Sequence, residues 1–153
     1  MENKFQIEKL SEKNFNEFAK LMKIFADFEK LSPPDANARL RLKKDGLGRN
    51  PKYEAYLGKI GGKYVAYTMF FMAYSSFKAL PTLFLEDIFI LKKYRRKGIG
   101  QKMLDFCVKT AKERKCGRID GYILDWNTPS INFFEKNNAE HPNWVFYRIN
   151  LKD

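Results

Sequence analysis

A basic, glycine-containing turn stands between a strand pattern and a helix pattern, and it constrains the fold more than any other feature of the chain. The apolar strand pattern covers 83–91, the turn covers 95–100 and the amphipathic helix pattern covers 101–114. A further apolar strand pattern follows at 119–124. A strand, a helix and a second strand in this order are typical of a parallel crossover in an α/β fold. The sequence therefore predicts an α/β protein with this turn directly after a central strand.

The composition of the turn suits the binding of an anion. The first N–H groups of a helix lack partners and carry a partial positive charge, so phosphate docks there readily. Gly98 and Gly100 can adopt φ > 0 and let the backbone come close, while Arg95, Arg96 and Lys97 add full charges. We therefore expect the turn to hold a diphosphate.

Two common phosphate-binding patterns do not fit this turn. The dinucleotide-binding pattern needs a third glycine where the chain has Met103, and the P-loop needs Gly-Lys-Ser or Gly-Lys-Thr, which the chain lacks. The remaining pattern is Arg-x-x-Gly-x-Gly. On its own, a pattern this short also fits a basic loop that only caps a helix, so the elements around it decide the interpretation.

Length and charge indicate one compact domain over 1–153 that attracts anions. The chain has 153 residues, of which 44% are hydrophobic, and its formal net charge is +11. Such a composition supports a packed core and a positive field. Coenzyme phosphates and nucleic acid would both respond to that field. The basic residues are spread over helices and loops without an RNA-binding motif, which argues against nucleic acid as the partner.

The sequence also predicts a cytoplasmic protein without a membrane partner. It shows no signal-peptide pattern and no run of 18 apolar residues. Cys107 and Cys116 form no Cys-x-x-Cys pair, so we expect free thiols and no metal. His141 is distant from both cysteines in the sequence, which argues against a thiol catalyst.

The remaining patterns predict a mixed central sheet flanked by helices, in the order β-α-α-β-β-β-α-β-α-β. Gly61-Gly62 between two aromatic and β-branched runs predicts a hairpin. The predicted elements are strand 5–10, a helix from 14 to the Ser32-Pro33-Pro34 stop, helix 35–44 ended by the glycines of 45–48, strands 53–60, 63–73 and 83–91, helix 101–114, strand 119–124, helix 128–138 and strand 144–151.

With these elements in place, the chain resembles the GNAT superfamily of acetyl-CoA-dependent N-acetyltransferases, whose signature is Arg/Gln-x-x-Gly-x-Gly/Ala. It is similar in particular to the diamine (spermidine/spermine) acetyltransferase branch. The matching pieces run from about residue 26 to 139 and include Leu85-Glu86-Asp87, Tyr94-Arg95, Gly98-Ile99-Gly100, Trp126-Asn127, Pro129-Ser130-Ile131-Asn132-Phe133 and 44–53. The resemblance implies a single GNAT-like domain, acetyl-CoA as co-substrate and a primary amine as acceptor.

The resemblance also implies where the coenzyme binds. The backbone of the central strand after the acidic pair would hold the pantetheine arm, and the turn would hold the diphosphate. The implied coenzyme contacts are Ile88, Phe89, Ile90, Arg95, Arg96, Lys97, Gly98, Ile99, Gly100, Gln101, Asn127, Thr128, Pro129, Ser130 and Phe134. The alternative for Asn127 is that it only caps the helix that follows. The N–H of Ile88 could polarise the thioester carbonyl.

Glu86 is the candidate for proton handling. A carboxylate in an apolar central strand is expected to be desolvated, with a raised pKa that suits a base near neutral pH. The amine must lose a proton, through water to Glu86, before it attacks the thioester directly. The alternative is a structural ion pair with Lys or Arg. Asp87 should point to the opposite face unless a bulge intervenes, and we expect it to be structural or substrate-facing.

The implied acceptor-binding residues are Phe28, Glu29, Glu86 and Asp87. Glu29 aligns with an acidic residue that helps bind polyamine in the resembled branch, and the alternative is a solvated charge at a helix end. The aromatic residue beside it is Phe28, without a phenol. Where the polyamine enzymes have an Asp-Pro-Trp-like element, this chain has Ser75-Ser76-Phe77-Lys78, and a lysine there would repel a polycation. The acceptor could therefore be a di- or polyamine, an amino acid-like metabolite or a protein amine.

One departure from the family concerns the leaving group. In the resembled enzymes a Tyr directly after Asn-Phe protonates the departing thiolate, and here Phe134 stands in its place. A thiolate with a pKa near ~8.5 is already a fair leaving group, so we expect transfer to proceed without this donor. The alternative is an acetyl-CoA-binding sensor or regulator with little catalysis. The final strand could pair across a homodimer, as in many relatives.

Overall fold

A computed structural model describes residues 4–151, and it separates into two compact units that divide after Tyr122. The first unit contains a sheet of five strands, β1 (Gln6–Lys9), β2 (Glu54–Ile60), β3 (Lys63–Ser75), β4 (Leu80–Ile90) and β5 (Arg118–Gly121). They lie in the order β1-β2-β3-β4-β5, with antiparallel pairs up to β4 and a parallel pair between β4 and β5. The predicted mixed sheet is confirmed. The single domain over 1–153 stays a prediction.

Helices flank this sheet, as predicted. The first unit contains α1 (Phe15–Glu29), α2 (Ala36–Leu47), a short 3₁₀ turn (Lys92–Tyr94) and α3 (Ile99–Glu113), and the second unit contains α4 (Thr128–Lys136). No helix within residues 4–151 has the length and apolar character needed to cross a membrane.

The helix α1 covers one face of the sheet because its apolar residues recur at helical spacing. Phe18 is fully buried, and its ring meets the ring of Tyr67 edge to face, with centroids 5.2 Å apart. About two turns later, Phe25 stacks on Phe89 of β4 at 4.9 Å. Buried aromatic pairs of this kind contribute about 0.5–1.5 kcal/mol beyond their area, so α1 is held firmly over β3 and β4.

The helix α3 covers the opposite face. Ile99 and Met103 pack with Val65 and Ala66 in one buried cluster. Cys107 is buried on the same side of α3, and Cys116 is half-buried beyond its end. Both cysteines are free thiols, as predicted.

The structure moves one helix boundary. α2 continues through Gly46 to Leu47, so the predicted end of this helix at Lys44 is wrong. The Asp35 side chain accepts a hydrogen bond from the N–H of Ala38 at the start, and the Tyr53 hydroxyl donates to the carbonyl of Leu42 at 2.6 Å. These contacts keep the last turn in place despite the glycine, whose helical cost is only about 1 kcal/mol.

The predicted final strand at 144–151 is also wrong. No strand follows α4 within the described part of the second unit. Alternating apolar residues favour a strand only where a neighbouring strand takes up the backbone hydrogen bonds. Without such a neighbour, Val145, Tyr147 and Ile149 remain 74%, 84% and 88% exposed.

Candidate functional site

A β-bulge in β4 places Glu86 at the centre of the site. Leu85 pairs with Phe70 of β3 and Asp87 pairs with Met69, so Glu86 has no partner residue in that register. Glu86 is exposed to solvent. The expectation that it is desolvated is therefore wrong, because the bulge pushes the extra residue out of the ladder. The alternative of an ion pair is not seen either, since none of the ion pairs within residues 4–151 includes Glu86.

The desolvated carboxylate of the strand is Asp87. Burial, together with the charges of Glu86 and Glu29, raises the pKa of Asp87 to about 7, although the hydrogen bond from Tyr67 acts to lower it. The buried Tyr67 hydroxyl donates to Asp87 Oδ2 at 3.0 Å. Burial and the charge of Asp87 raise the pKa of Tyr67 well above its usual value, so the phenol remains a donor. Tyr67 is missing from the predicted site residues because its position beside Asp87 depends on the register that the bulge sets.

Glu29, the last residue of α1, completes what we call the acidic cluster: Glu29, Glu86 and Asp87. Glu29 is half-buried, and burial raises its pKa, with a further contribution from the charge of Glu86. Within residues 4–151, no lysine or arginine forms an ion pair with any of the three carboxylates. The cluster is thus a local concentration of negative charge in a chain of net charge +11, and it suits a cationic ligand.

Replacing Asp87 by Asn should stabilise the protein at alkaline pH. An aspartate ordinarily ionises near 3.8, whereas Asp87 ionises at about 7 in the folded protein. The folded state therefore binds more protons between these values, so its free energy of unfolding falls as pH rises through this window and stays low above it. We expect Asp87→Asn to gain about 2–4 kcal/mol at pH 8 and nothing at pH 4. Urea unfolding at both pH values measures this, with exposed Asp27→Asn as control. An equal effect at the two pH values would contradict the assignment.

The turn after β4 forms an uncapped helix start. Gly98 is the N-cap residue of α3 with φ 76°, and no side chain caps this end. Arg96 also has a positive φ, of 62°, whereas Gly100 lies in the first turn of the helix. Of the two glycines that can adopt φ > 0, Gly98 does so and Gly100 does not. Arg96 and Lys97 are exposed beside this helix start, so charge and backbone donors combine there, as an anion requires.

The end of β4 next to this turn has an open edge. β5 pairs with β4 only over Thr82–Leu85, so no described strand lies beside the segment 88–90 on that side. The N–H of Leu91 donates to β3, while the carbonyl of Ile90 accepts from Arg95 at 2.8 Å. Backbone groups of successive strand residues point to opposite sides. The N–H and carbonyl of Ile88 therefore share the open side with Ile90, and those of Phe89 face β3.

Arg95 and Lys97 of the turn, and Gln101 directly after it, have side-chain partners within the protein. Lys97 Nζ lies 5.7 Å from the ring centroid of Tyr94. Arg95 is half-buried, and its guanidinium lies 4.8 Å from the ring centroid of Phe28 and 5.6 Å from that of Phe89. Burial lowers the pKa of Arg95. Gln101 donates from Nε2 to Asp105 Oδ1 at 2.8 Å, one helical turn further on.

The other predicted coenzyme contacts lie in the second unit. The Oδ1 atom of Asn127 accepts from the N–H of Ser130 at 3.4 Å and caps α4, whose first two residues are Thr128 and Pro129. The capping role considered from the sequence is therefore present. Phe134 meets the neighbouring ring of Phe133 edge to face at 5.2 Å. The expected coenzyme contacts of these residues stay predictions.

Comparison with known proteins agrees with this geometry. A sequence model of the acetyltransferase (GNAT) family matches residues 18–139. The chain is 26% identical to thialysine N-epsilon-acetyltransferase of Mus musculus over 156 residues, which cover 94% of this chain and 91% of the relative. It is 37% identical to the L-ornithine N5-acetyltransferase of Arabidopsis thaliana over 112 residues, which cover 71% of this chain and 49% of the relative.

A solved structure shares the fold. An aminoglycoside N-acetyltransferase in complex with CoA superposes with a TM-score of 0.79 and 17% identity, and the match covers 97% of this chain and 96% of that one. At this identity the likeness concerns the fold alone.

Proposed function

The chain belongs to the acetyltransferase (GNAT) family of N-acetyltransferases, and from this premise we propose that it moves an acetyl group from acetyl-CoA directly to a small amine that carries a second cationic group. The observation that carries the proposal is the uncapped start of α3 at Gly98, next to exposed Arg96 and Lys97 and to the open edge of β4. This arrangement offers a diphosphate cradle and, beside it, strand backbone for the pantetheine amides.

In this proposal the turn and the strand bind different parts of the co-substrate. Arg96, Lys97 and Gly98, together with the first turn of α3, hold the diphosphate. Ile88 and Ile90 supply N–H and carbonyl groups to the pantetheine arm, because their backbone groups lie on the side of β4 that no described strand occupies. The N–H of Ile88 then donates to the thioester carbonyl as negative charge develops on its oxygen. Asn127 to Ser130 and Phe134 stay predicted contacts.

The acidic cluster supports a dicationic acceptor. Three carboxylates without an ion-pair partner among the described residues favour a ligand that brings more than one positive charge. Two of the relatives are named for thialysine and ornithine, and each of these compounds has two amino groups. A diamine or a diamino acid is therefore the acceptor class that we propose.

The proposed reaction needs one base and no covalent intermediate on the protein. Glu29 and Asp87 hold the second ammonium of the acceptor, and the reacting ammonium loses a proton through water to the exposed carboxylate of Glu86. The neutral amine attacks the thioester carbon, the nitrogen of the tetrahedral intermediate loses its second proton to water, and the intermediate collapses by breaking the C–S bond. Phe134 cannot protonate the thiolate, so CoA leaves as the anion, with a pKa near ~8.5 that permits this.

Acetyl transfer to a panel of amines tests the proposal. Purified protein is incubated with labelled acetyl-CoA and 1,5-diaminopentane, ornithine, thialysine, spermidine and pentylamine, and products are identified by mass. We expect a kcat/KM for 1,5-diaminopentane at least about 10-fold above that for pentylamine, because the second ammonium meets a carboxylate. Binding of acetyl-CoA without any product would favour the sensor alternative. Absence of both binding and product would overturn the proposal.

We further propose that a second copy of the chain covers the apolar residues of 144–151. Exposed apolar residues that follow one another along a segment mark interaction surfaces, and here they alternate as in a strand. Sedimentation equilibrium should give twice the mass of one chain. The variant Tyr147→Asp/Ile149→Asp should be monomeric, while Asn150→Asp, which adds a charge directly after Ile149, should not. A monomeric wild-type protein at micromolar concentration would refute this proposal.

The cytoplasmic location stays a prediction.

A further inference from the structure

The first cation of the Arg-x-x-Gly-x-Gly pattern is directed into the protein. Arg95 Nε donates to the carbonyl of Ile90 at 2.8 Å, at the end of β4. Its guanidinium carbon lies 4.8 Å from the ring centroid of Phe28 and 5.6 Å from that of Phe89. Arg95 thus contacts the last turn of α1, the end of β4 and its own turn at one point.

Arg95 is one of the contacts at the end of α1. Phe28 is 37% exposed, and α1 ends one residue later at Glu29, followed by the cap residue Lys30, which has a left-handed backbone with φ 59°. The stacked pair of Phe25 and Phe89 anchors the preceding turn but not the last one. A guanidinium packed on Phe28 supplies attraction to the ring face, and it loses little water in doing so because it is weakly hydrated.

The end of α1 matters because it carries Glu29, a member of the acidic cluster. Glu29 follows Phe28 directly, so a shift of the Phe28 ring displaces the Glu29 carboxylate with it. The charges of Glu86 and Asp87 repel Glu29 within the cluster, as the raised pKa of Glu29 and of Asp87 indicates. Some contact must hold the carboxylate near its like-charged neighbours, and the Arg95–Phe28 contact lies one residue away.

We propose that Arg95 is a positioning residue for the acceptor: it fixes Phe28, and through Phe28 the Glu29 carboxylate, instead of serving as a phosphate cation like Arg96 and Lys97. The inference rests on the function proposed above, because it concerns the acceptor side of the same site. It also links the two substrates. A diphosphate that orders the turn orders Arg95, and with it the end of α1.

The test separates the affinity for acetyl-CoA from the KM of the acceptor. The acceptor is 1,5-diaminopentane, and the dissociation constant of acetyl-CoA is measured by calorimetry. We expect Arg95→Gln to raise the acceptor KM about 5- to 30-fold, a range that corresponds to a desolvated cation–π contact, and to change the acetyl-CoA dissociation constant less than about 3-fold. The matched control Lys97→Gln removes a cation of the same turn. It should raise the dissociation constant of acetyl-CoA and leave the acceptor KM nearly unchanged.

A double-mutant cycle with Phe28→Leu tests whether Arg95 acts through that ring. If it does, the double variant has the same acceptor KM as either single variant, because the second change removes a contact that is already lost. Arg95→Lys keeps the charge but not the planar group, so it should fall between wild type and Arg95→Gln. Phe28→Leu replaces an exposed side chain and serves where Arg95→Gln folds poorly.

Two results would overturn the inference. One is an acetyl-CoA dissociation constant at least 10-fold higher in Arg95→Gln with an unchanged acceptor KM, as expected for a phosphate cation. The other is a double variant whose increase in acceptor KM equals the product of the increases in Arg95→Gln and Phe28→Leu. Failure of the proposed function itself looks different, since the wild-type protein would then give no acetylated product. In that case calorimetric binding of 1,5-diaminopentane replaces KM in the same cycle.

Discussion

Replacing Gly98 by aspartate should lower the affinity for acetyl-CoA at least about 100-fold, since like charges a few ångströms apart near a protein surface repel by about 4 kcal/mol. The new carboxylate would also compete with the diphosphate for N–H groups at the start of α3. Aspartate is among the residues that tolerate a left-handed backbone, and a Cβ at Gly98 meets no atom within 4 Å. The protein should therefore fold, and calorimetry of acetyl-CoA binding measures the loss.

The hairpin turn between β2 and β3 provides a matched control. Gly62 has φ 81°, close to the 76° of Gly98, and a Cβ there also meets nothing within 4 Å. Gly62→Asp makes the same change of side chain, charge and backbone strain outside the turn that follows β4. It should leave the acetyl-CoA dissociation constant unchanged. Equal losses in the two variants would show that overall charge, and not the cradle, controls binding.

Replacing Glu86 by glutamine should lower kcat for the amine acceptor about 10²- to 10⁴-fold at pH 7, the usual contribution of a general base. Glutamine has nearly the same shape, so the bulge in β4 should persist while the proton acceptor is lost. The reaction should then depend on the fraction of acceptor that arrives as the neutral amine. Since amines of this kind have a pKa near ~10.4, the variant's kcat/KM should rise about tenfold per pH unit up to about pH 10.

The pH dependence distinguishes this role from a structural one. Glu113→Gln, at an exposed position at the end of α3, is the control and should keep the wild-type rate. Acetyl-CoA binding by Glu86→Gln should also be unchanged, because the carboxylate is not part of the cradle. If Glu86→Gln turned over at the wild-type rate, or if its rate did not rise with pH, another group would have to accept the proton.

Local signals in the sequence predicted the parts of the molecule that local forces determine. The turn at 95–100 shows its glycines and charges within six residues, and the hairpin follows from Gly61-Gly62, both of which have positive φ. The stripe of aromatic residues in α1 predicted the face that packs on the sheet. These features need no knowledge of what lies opposite.

The parts that the sequence did not predict depend on distant partners. The bulge at Glu86 is a relation between β4 and β3, and nothing in 83–91 alone reveals which residue lacks a partner. The direction of Arg95 depends on rings supplied by α1 and β4. The alternation at 144–151 is real, but a strand also needs a neighbour, and the described residues of that unit supply none. Candidate residues were therefore easier to name than their environments.

The bulge implies an evolutionary route by which such a site can be gained or lost. Leu85 and Asp87 face Phe70 and Met69, which are already neighbours in β3, so deletion of Glu86 would leave an unbroken ladder. Flanking side chains would keep their present faces, because the register on each side would not slip. The codon for Glu86 thus separates a regular sheet without the exposed carboxylate from one that presents it to solvent. Descendants that lose this codon would keep the fold and lose the proposed base.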